Sequence, residues 1–442
     1  DLVIEGLKPT DRPFLKAKRV FVNLPWWTVF TRELIVENVD MTEWEMLVEQ
    51  FPGKHSFPRV QGPPRTGPKK PSRFNLKTTV RSVIARKGRF IYDDHTIPWL
   101  VVCNNLDVSV FKGWDTYRGT AQFRDGAIKI QAYDQFRADM QTRFKIDAAE
   151  GKIFLEHINL QSTGASSEIT GYVDIKRWPE MLYNVKSRVD FPVQKAIYFK
   201  DMNFTVAGHG DFQGVFKFFK TPTGTGRELK GTFVSPVAGV NAWTFPDVRG
   251  SLLWTNHAFR VTDVTTGLYG GRAKFDYLME PLGRRGQPTQ VVWDATYADV
   301  DLTQLTDFLE MQGIRLAGRA SGRNRLQWPL GRFRDKRGEG EVTATMPPGA
   351  RPMTRHIPAD LIAAVDPLPR EQGPFNSRLP IGHVPIAAHI TYSLNPEWIE
   401  IANGWAATEK TFVEFKGRTA WAQRSNIPFH VTSADWQESD RV

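Results

Sequence analysis

The feature that most constrains this chain is an alternation of apolar and polar residues with a period of two. In one clear example, Ile128 and Ile130 alternate with Lys129 and Gln131. Because successive side chains of a strand point to opposite faces of a sheet, this pattern indicates a strand with one buried face. Equivalent stretches return along most of the sequence, which indicates a chain dominated by β-strands.

Turn signals separate these stretches at short intervals. Asp125–Gly126 and Gly270–Gly271 are the residue pairs that tight turns favour, because they tolerate a positive φ. Strands that follow one another with only a turn between them pair in antiparallel hairpins, whereas parallel units need a long crossover. The sequence therefore predicts consecutive antiparallel hairpins.

Helical signals are few and short. Residues 40–49 begin with an Asp cap, carry Glu43 at a capping-box position and contain an apolar stripe, which predicts a helix of a few turns. Residues 301–312 predict a second helix that ends at Gly313. Residues 193–199 predict a third, shorter helix. So little helix cannot cover both faces of the strands, so we predict an all-β fold.

The number of one-sided strands exceeds what two packed sheets of a sandwich require. We therefore predict an elongated, curled antiparallel β-sheet that forms a groove, the shape known as a β-taco, with a few short helices. Its apolar side chains either fill the interior or leave a hydrophobic trough. Periodicity alone favours the filled interior.

Two Pro-rich stretches interrupt the strand pattern. Residues 61–73 predict a linker, and residues 331–385 predict an irregular insertion. The sequence thus divides into an N-terminal repeat with a short helix at 1–60, an extended β-groove at 74–330 and a continuation of that groove at 386–442.

The composition excludes disulfide bonds, Cys-rich metal sites and membrane-spanning segments within this sequence. Cys103 is the only cysteine, so the chain forms no intrachain disulfide and no Cys-rich zinc or iron–sulfur site. The formal net charge of +10 favours anionic partners. The longest apolar stretch, 97–103, is too short to cross a bilayer. The sequence opens in a strand-like pattern without a signal peptide, so we expect the natural N-terminus to lie upstream.

The sequence carries no motif for catalysis. It lacks the nucleophile elbow, the phosphate-binding loop and the zinc-protease helix. The histidines are scattered, and Asp93–Asp94 resemble turn residues rather than an acid–base pair. We therefore predict a protein that is not an enzyme, with no catalytic residues, no metal site and no cofactor.

Nucleic-acid binding is a second class that the pattern disfavours. Proteins that bind single strands expose aromatic rings above a basic groove. Here the alternation places Lys217 on the face opposite to Phe216 and Phe218. We therefore expect no nucleic-acid partner.

Several passages resemble the AsmA-like superfamily, which contains the AsmA- and TamB-type proteins. Residues 2–7, 14–24 and 26–39 are similar to its N-terminal repeat of two strands, a turn and a further strand, and residues 44–58 are similar to the segment that follows. The passage 242–273, with "DVRGSLLW" and later "LYGGRA", is similar to its recurring unit.

The resemblance implies a function and a location. Members are periplasmic, are anchored in the bacterial inner membrane by an N-terminal helix, here expected before Asp1, and extend a β-groove toward the outer membrane. The implied function is non-enzymatic transport of phospholipids between the two membranes, and the implied partner at the far end is an outer-membrane protein. The alternative is a scaffold for assembly of outer-membrane β-barrel proteins.

The resemblance favours an open trough over a filled interior, with phospholipid acyl chains as the ligand. The residues predicted to line it are the inward-facing members of the regular strands. They are Ile128, Ile130, Phe144, Ile146, Ile153, Leu155, Phe216, Phe218, Leu252, Trp254, Phe259, Val261, Phe275, Trp293 and Tyr297.

Overall fold

The computed structural model describes most of the chain. The described residues are 1–6, 12–30, 33–51, 54–56, 77–95, 99–130, 133–178, 180–200, 204–222, 224–283, 286–309, 315–362, 382–420, 425–435 and 438. They form an all-β protein in which 23 strands belong to one hydrogen-bonded sheet. The predicted all-β class, with a long, mainly antiparallel sheet and few short helices, is confirmed. The chain divides into two compact units.

Unit 1 comprises Asp1–Gly231 and Gly239–Asn241. Its elements are β1 (Leu2–Ile4), β2 (Leu15–Asn23), a 3₁₀ helix (Trp26–Phe30), β3 (Glu33–Val36), β4 (Asn38–Phe51), β5 (Lys54–His55), β6 (Lys77–Val80), β7 (Ser82–Asp94), β8 (Trp99–Lys112), β9 (Tyr117–Ile130), β10 (Phe136–Asp147), β11 (Lys152–Ser162), β12 (Ala165–Asp174), β13 (Met181–Asp190), α1 (Phe191–Tyr198) and β14 (Val206–Thr221). The next strand, β15 (Gly224–Val240), contributes residues to both units.

The sheet of unit 1 is a succession of antiparallel neighbours with one exception. From β7 to β14, each strand pairs with the next along the chain, as consecutive hairpins require. The exception is the pair β4 and β7, which run parallel. The short strands β3 and β6 form a separate parallel pair. The predicted hairpin arrangement is therefore confirmed for most of this unit.

A row of residues with a left-handed backbone crosses four neighbouring strands of unit 1, and β-bulges shift the pairing register beside those in β7 and β9. Glu43 in β4, Lys87 in β7, Asn105 in β8 and Asp125 in β9 all have a left-handed backbone, with φ between 49° and 58°. A neighbouring carboxylate satisfies a backbone group at this row, since Asp107 Oδ1 accepts a hydrogen bond from the N–H of Lys87 at 2.9 Å. Bulges bend strands and increase their twist, so the sheet curls along this row.

The tightly packed core of unit 1 lies along this bend, and we call it the crease. Its buried members are Leu15, Ala17, Trp44, Ala85, Cys103, Leu106, Phe123 and Ala138. Gly88 makes room for the indole of Trp44, because a Cβ at this position would lie 2.1 Å from a ring carbon. Burial raises the pKa of the Cys103 thiol to about 12, as expected for a dry interior.

Unit 2 comprises Thr232–Ala238 and Ala242–Val442. Its elements are β16 (Trp243–Thr255), β17 (Phe259–Leu268), β18 (Gly271–Glu280), β19 (Gln290–Asp301), α2 (Leu302–Phe308), β20 (Leu316–Ala317), β21 (Arg319–Pro329), a 3₁₀ helix (Phe333–Asp335), β22 (Arg337–Thr345), α3 (Ala359–Ile362), β23 (Val384–Pro385), β24 (Ala387–Leu394), β25 (Trp398–Ala407), β26 (Thr411–Ala420) and β27 (Phe429–Ser433).

Antiparallel pairs again connect the long strands of unit 2, and β20 and β23 form a small parallel pair. The buried core is packed where α2 follows β19. Its members are Val300, Leu302, Ala320, Ala344, Ile386 and Ala388. Asp301 caps α2, since its Oδ1 accepts hydrogen bonds from the N–H groups of Thr303 and Gln304.

Two of the three predicted helices are confirmed, and the third prediction is wrong. Helices α1 and α2 lie within one or two residues of their predicted starts. Residues 40–49 form part of β4 instead. The left-handed backbone at Glu43 interrupts the alternation of β4 without shifting its register with β2. The inward-facing Met41 and Trp44 are therefore three positions apart, which imitates a helical spacing.

Two further predictions need correction. Asp125–Gly126 is a bulge inside β9 and not a turn, whereas Gly270–Gly271 does join β17 to β18. Residues 331–385 were predicted to be irregular, yet 337–345 form β22 in the main sheet. Its glycines hide the strand pattern, because Gly338 and Gly340 stand where neighbouring side chains pack closely. The predicted linker at 61–73 lies outside the described residues.

Candidate functional site

Cross-strand register places the predicted residues of unit 1 on one face of its sheet. Residues that are directly opposite in neighbouring strands share a face. One row runs through Phe144, Leu155, Gly171, Tyr183 and Phe216. The next row runs through Ile146, Ile153, Val173, Met181 and Phe218. We call the face that carries these rows the unit 1 apolar face.

The two remaining predicted residues of unit 1 lie on the same face. Ile128 is opposite Phe136, and Phe136 is separated from Phe144 by an even number of residues along the regular strand β10. Ile130 follows Ile128 by two positions. This face therefore continues past the bulge at Asp125. The extra residue of the bulge keeps the apolar residues before and after it on the same side of the sheet.

The exposure of these side chains distinguishes a surface from a core. Every predicted residue of unit 1 is half-buried, and none is one of the buried residues of the crease, although Ile128 packs against them. Within the crease, by contrast, Phe123 is 5% exposed and Ala138 is 1% exposed. The rows of the unit 1 apolar face are thus less completely covered than the crease.

Register also brings the predicted residues of unit 2 together. One row runs through Leu252, Val261, Tyr277, Trp293 and Leu326. A second row runs through Trp254, Phe259, Met279, Val291 and Trp328. Phe275 lies two positions from Tyr277, and Tyr297 lies four positions from Trp293, so both share this side. We call it the unit 2 apolar face.

The unit 2 apolar face is rich in aromatic contacts. Phe275 and Trp293 stack with ring centroids 4.4 Å apart, and Tyr277 meets Trp293 edge-on at 6.4 Å. Trp254 is 41% exposed, and the other predicted residues of this unit are half-buried. Both apolar faces therefore present large side chains that are only partly covered by the chain itself.

Tyrosine side chains report a low polarity on both faces. Burial raises the pKa of Tyr183 to about 12 in unit 1. In unit 2, the pKa of Tyr297 is raised to about 12, mainly by burial and further by Tyr392. Loss of water disfavours the charged phenolate, which is the expected effect of an apolar environment.

The opposite face of unit 1 carries both polar and apolar side chains and a cavity of about 750 Å³. Alternation along the strands puts Thr120, Gln122 and Arg143 on this side, away from the apolar rows. The hydroxyls of Ser109 and Thr120 lie 2.8 Å apart across two strands. His157 also lines this cavity. Polar side chains such as Gln122 and His157 share the lining of the cavity with the apolar side chains of Ile84 and Phe111.

A cluster that the sequence did not predict joins Glu49, Asp93 and His95. The parallel register sets Glu49 beside Asp93, and His95 Nε2 lies 3.7 Å and 3.6 Å from their carboxylates. Asp93 belongs to β7, so its prediction as a turn residue is wrong. All three offer metal-ligand atoms within 4.8 Å of one another, but Arg12 Nη2 already contacts Glu49 Oε1 at 2.5 Å. We therefore assign these contacts to an ion-pair network.

None of the helices in the described part of the chain has the length and apolar character needed to cross a bilayer. Comparisons with models of protein families, with curated proteins and with solved structures find no match. The similarity to the AsmA-like superfamily therefore stays a prediction from the motifs quoted above.

Proposed function

We propose that this protein binds phospholipid acyl chains on its apolar faces and moves lipids between membranes without catalysis. The observation that carries the proposal is the arrangement of the predicted lining residues. They share one face in each unit, and they are half-buried or exposed, whereas the core residues are buried. A contiguous apolar surface that is partly exposed is typical of a ligand-binding site.

The energetics of lipid movement support a face of this kind. Transfer of one methylene out of water is worth about 0.8 kcal/mol, so exposing two acyl chains to water costs on the order of 20 kcal/mol. A continuous row of apolar side chains offsets this cost while the headgroup stays hydrated. The row through Ile146, Ile153, Val173, Met181 and Phe218 places an apolar side chain on each strand, which favours weak, equivalent binding positions over one deep site.

The proposed location follows from the family resemblance. We place the activity in the periplasm of a bacterium, with the inner membrane as one partner and an outer-membrane protein as the other. The formal net charge of +10 supports attraction to anionic headgroups.

Lipid extraction from the protein purified without detergent, followed by mass spectrometry, tests the proposal. Leu155→Asp puts a charge on the unit 1 apolar face, and we expect this variant to lose most of the co-purifying phospholipid. Phe154→Asp is the matched control, because Phe154 is the preceding residue of β11, is also half-buried and points to the opposite face. It should retain the lipid.

Two outcomes would contradict the proposal. The first is a wild-type protein that carries no phospholipid and takes up none from vesicles. The second is equal lipid loss in Leu155→Asp and Phe154→Asp, since the effect would then not depend on the face. Circular dichroism of both variants checks that the strands remain folded.

A scaffold for outer-membrane β-barrel assembly is the second candidate. The observation that favours it is the last described strand, β27, whose one pairing in the described sheet is with β26. Such an edge offers backbone groups to a client strand. Under this alternative, the purified protein would be free of lipid and would bind peptides from unfolded barrel strands.

A further inference from the structure

Exposed aromatic side chains gather at one end of the strands of unit 1. The C-terminal end of β2 leads into the 3₁₀ helix Trp26–Phe30, and the C-terminal end of β8 leads into the hairpin to β9. Register places both at the same end, because Val22 is opposite Val39, Val39 is beside Val83, and Val83 is opposite Val110. We call the side chains of Trp26, Trp27, Phe111 and Trp114 the aromatic tip.

The aromatic tip projects large rings into solvent. Trp114 is 99% exposed, Trp26 is 76% exposed, and Phe111 and Trp27 are about half exposed, at 51% and 45%. Indole rings carry a large apolar area and a polar N–H, which suits them to the boundary between water and hydrocarbon. Their grouping at one end indicates a binding surface and not scattered surface residues.

Short-range hydrogen bonds define the backbone that carries these rings. In the 3₁₀ helix, Thr28 is fully buried and its Oγ1 donates a hydrogen bond to the carbonyl of Pro25 at 2.8 Å. In the hairpin, the N–H of Gly113 donates to the carbonyl of Thr116 at 2.7 Å. The two segments therefore present Trp27 and Trp114 from defined backbones, which lowers the entropic cost of inserting the rings.

Basic side chains flank the aromatic tip. Lys112 follows Phe111, and Arg118 is directly opposite Phe111 across the hairpin; both are exposed. Asp115 is the acidic residue of this turn, so the local balance is positive. Lysine and arginine next to interfacial tryptophan complement the negative potential of a surface with anionic lipids.

We propose that the aromatic tip docks unit 1 onto a bilayer surface that contains anionic lipids, with the rings at headgroup depth. The inference goes beyond the proposed function, because it concerns the strand ends and not the apolar faces. A protein can fail to carry lipid and still bind vesicles, or the reverse, so the two proposals fail separately.

Co-sedimentation of the full chain with vesicles tests the proposal. The probe is a vesicle of phosphatidylcholine and phosphatidylglycerol, compared with phosphatidylcholine alone. We expect wild-type protein to bind the mixed vesicle more tightly.

The double variant Trp27→Ser, Trp114→Ser should bind both kinds of vesicle about tenfold more weakly or worse, since the loss of each ring removes a large apolar area from the interface. Lys112→Glu should weaken binding to the anionic vesicle alone.

Trp99→Ser is the matched control. Trp99 begins β8, at the opposite end of the strand that leads to Trp114, and it is 42% exposed. This variant should bind vesicles like the wild type. Equal loss of vesicle binding for Trp99→Ser, or unchanged binding of the double variant, would overturn the proposal.

A wild-type protein that is oligomeric without vesicles, with a double variant that is monomeric, would also overturn it, because the aromatic tip would then be a contact between copies. Circular dichroism confirms folding, and quenching of tryptophan fluorescence by brominated lipid should decrease in the double variant.

Discussion

Phe123 and Phe144 lie on neighbouring strands and on the same face of unit 1, but they lie in different environments. Phe123 belongs to the crease and is 5% exposed, whereas Phe144 lies in a row of the unit 1 apolar face outside the crease and is half-buried. The bulges at Lys87 and Asp125 account for the difference, because the sheet bends there and packs its own side chains together. The apolar pattern thus identifies the face, and the bulges decide which part of it becomes core.

The largest expected effect comes from the crease. Trp44→Ala removes a 6% exposed indole that fills the space over Gly88, and we expect the free energy of unfolding of unit 1 to fall by about 3–5 kcal/mol. Gly88→Val should also destabilise strongly, since its side chain would overlap the same ring. Urea denaturation followed by circular dichroism measures both.

Gly382→Ala is the control for the glycine substitution. A Cβ at Gly382 meets no atom within 4 Å, so we expect its denaturation midpoint to match that of the wild type. A Trp44→Ala protein of unchanged stability would show that the crease is not the core of unit 1.

A second pair of substitutions compares the crease directly with the rows of the unit 1 apolar face outside it, and its expected effect on stability is smaller. Phe123→Ala should cost about 3–5 kcal/mol of unfolding free energy, while Phe144→Ala should cost less than half as much, because the half-buried ring loses less contact. The same urea titrations give both values. Equal losses for the two substitutions would place Phe144 in the core and would remove the main support for lipid binding at that row.

The smallest effect concerns pH. Tyr183 has a pKa of about 12 when folded, compared with about 10 in an unfolded chain. Between these values the unfolded state releases its proton first, so the stability present below pH 10 is lost as the pH rises toward 12. Tyr183→Phe removes this contribution. From neutral pH to about pH 11, the unfolding free energy of the variant should therefore fall by about 1 kcal/mol less than that of the wild type. An identical alkaline loss in both proteins would mean that water reaches the hydroxyl.

Much of the fold could be predicted from the sequence, because alternation with a period of two is a direct signature of one-sided strands. Two of the errors arise where the backbone becomes left-handed and the alternation is interrupted. The apolar residues around Glu43 acquire a helical spacing there, and the bulge at Asp125–Gly126 has the composition of a turn. Residues 337–345 were missed because Gly338 and Gly340 replace the expected apolar side chains.

The apolar faces were predictable for the same reason as the strands, and register places their residues on one face within each unit. The cluster of Glu49, Asp93 and His95 was not predictable, because the parallel pairing of β4 with β7 joins distant segments and has no local signal. The aromatic tip was also not predicted. Trp26 and Trp27 have the composition of a core segment, and only the three-dimensional position of their strand end shows that they face solvent.

The bulges also restrict which insertions and deletions the strands of this protein can tolerate. Downstream of Asp125, the loss of a single codon within β9 would turn Ile128 and Ile130 toward the opposite face, while Phe123 would keep its position. Loss of two codons would preserve the orientation. Small insertions and deletions are therefore expected to accumulate in even steps inside these strands, and odd steps should survive only where a compensating bulge appears or disappears.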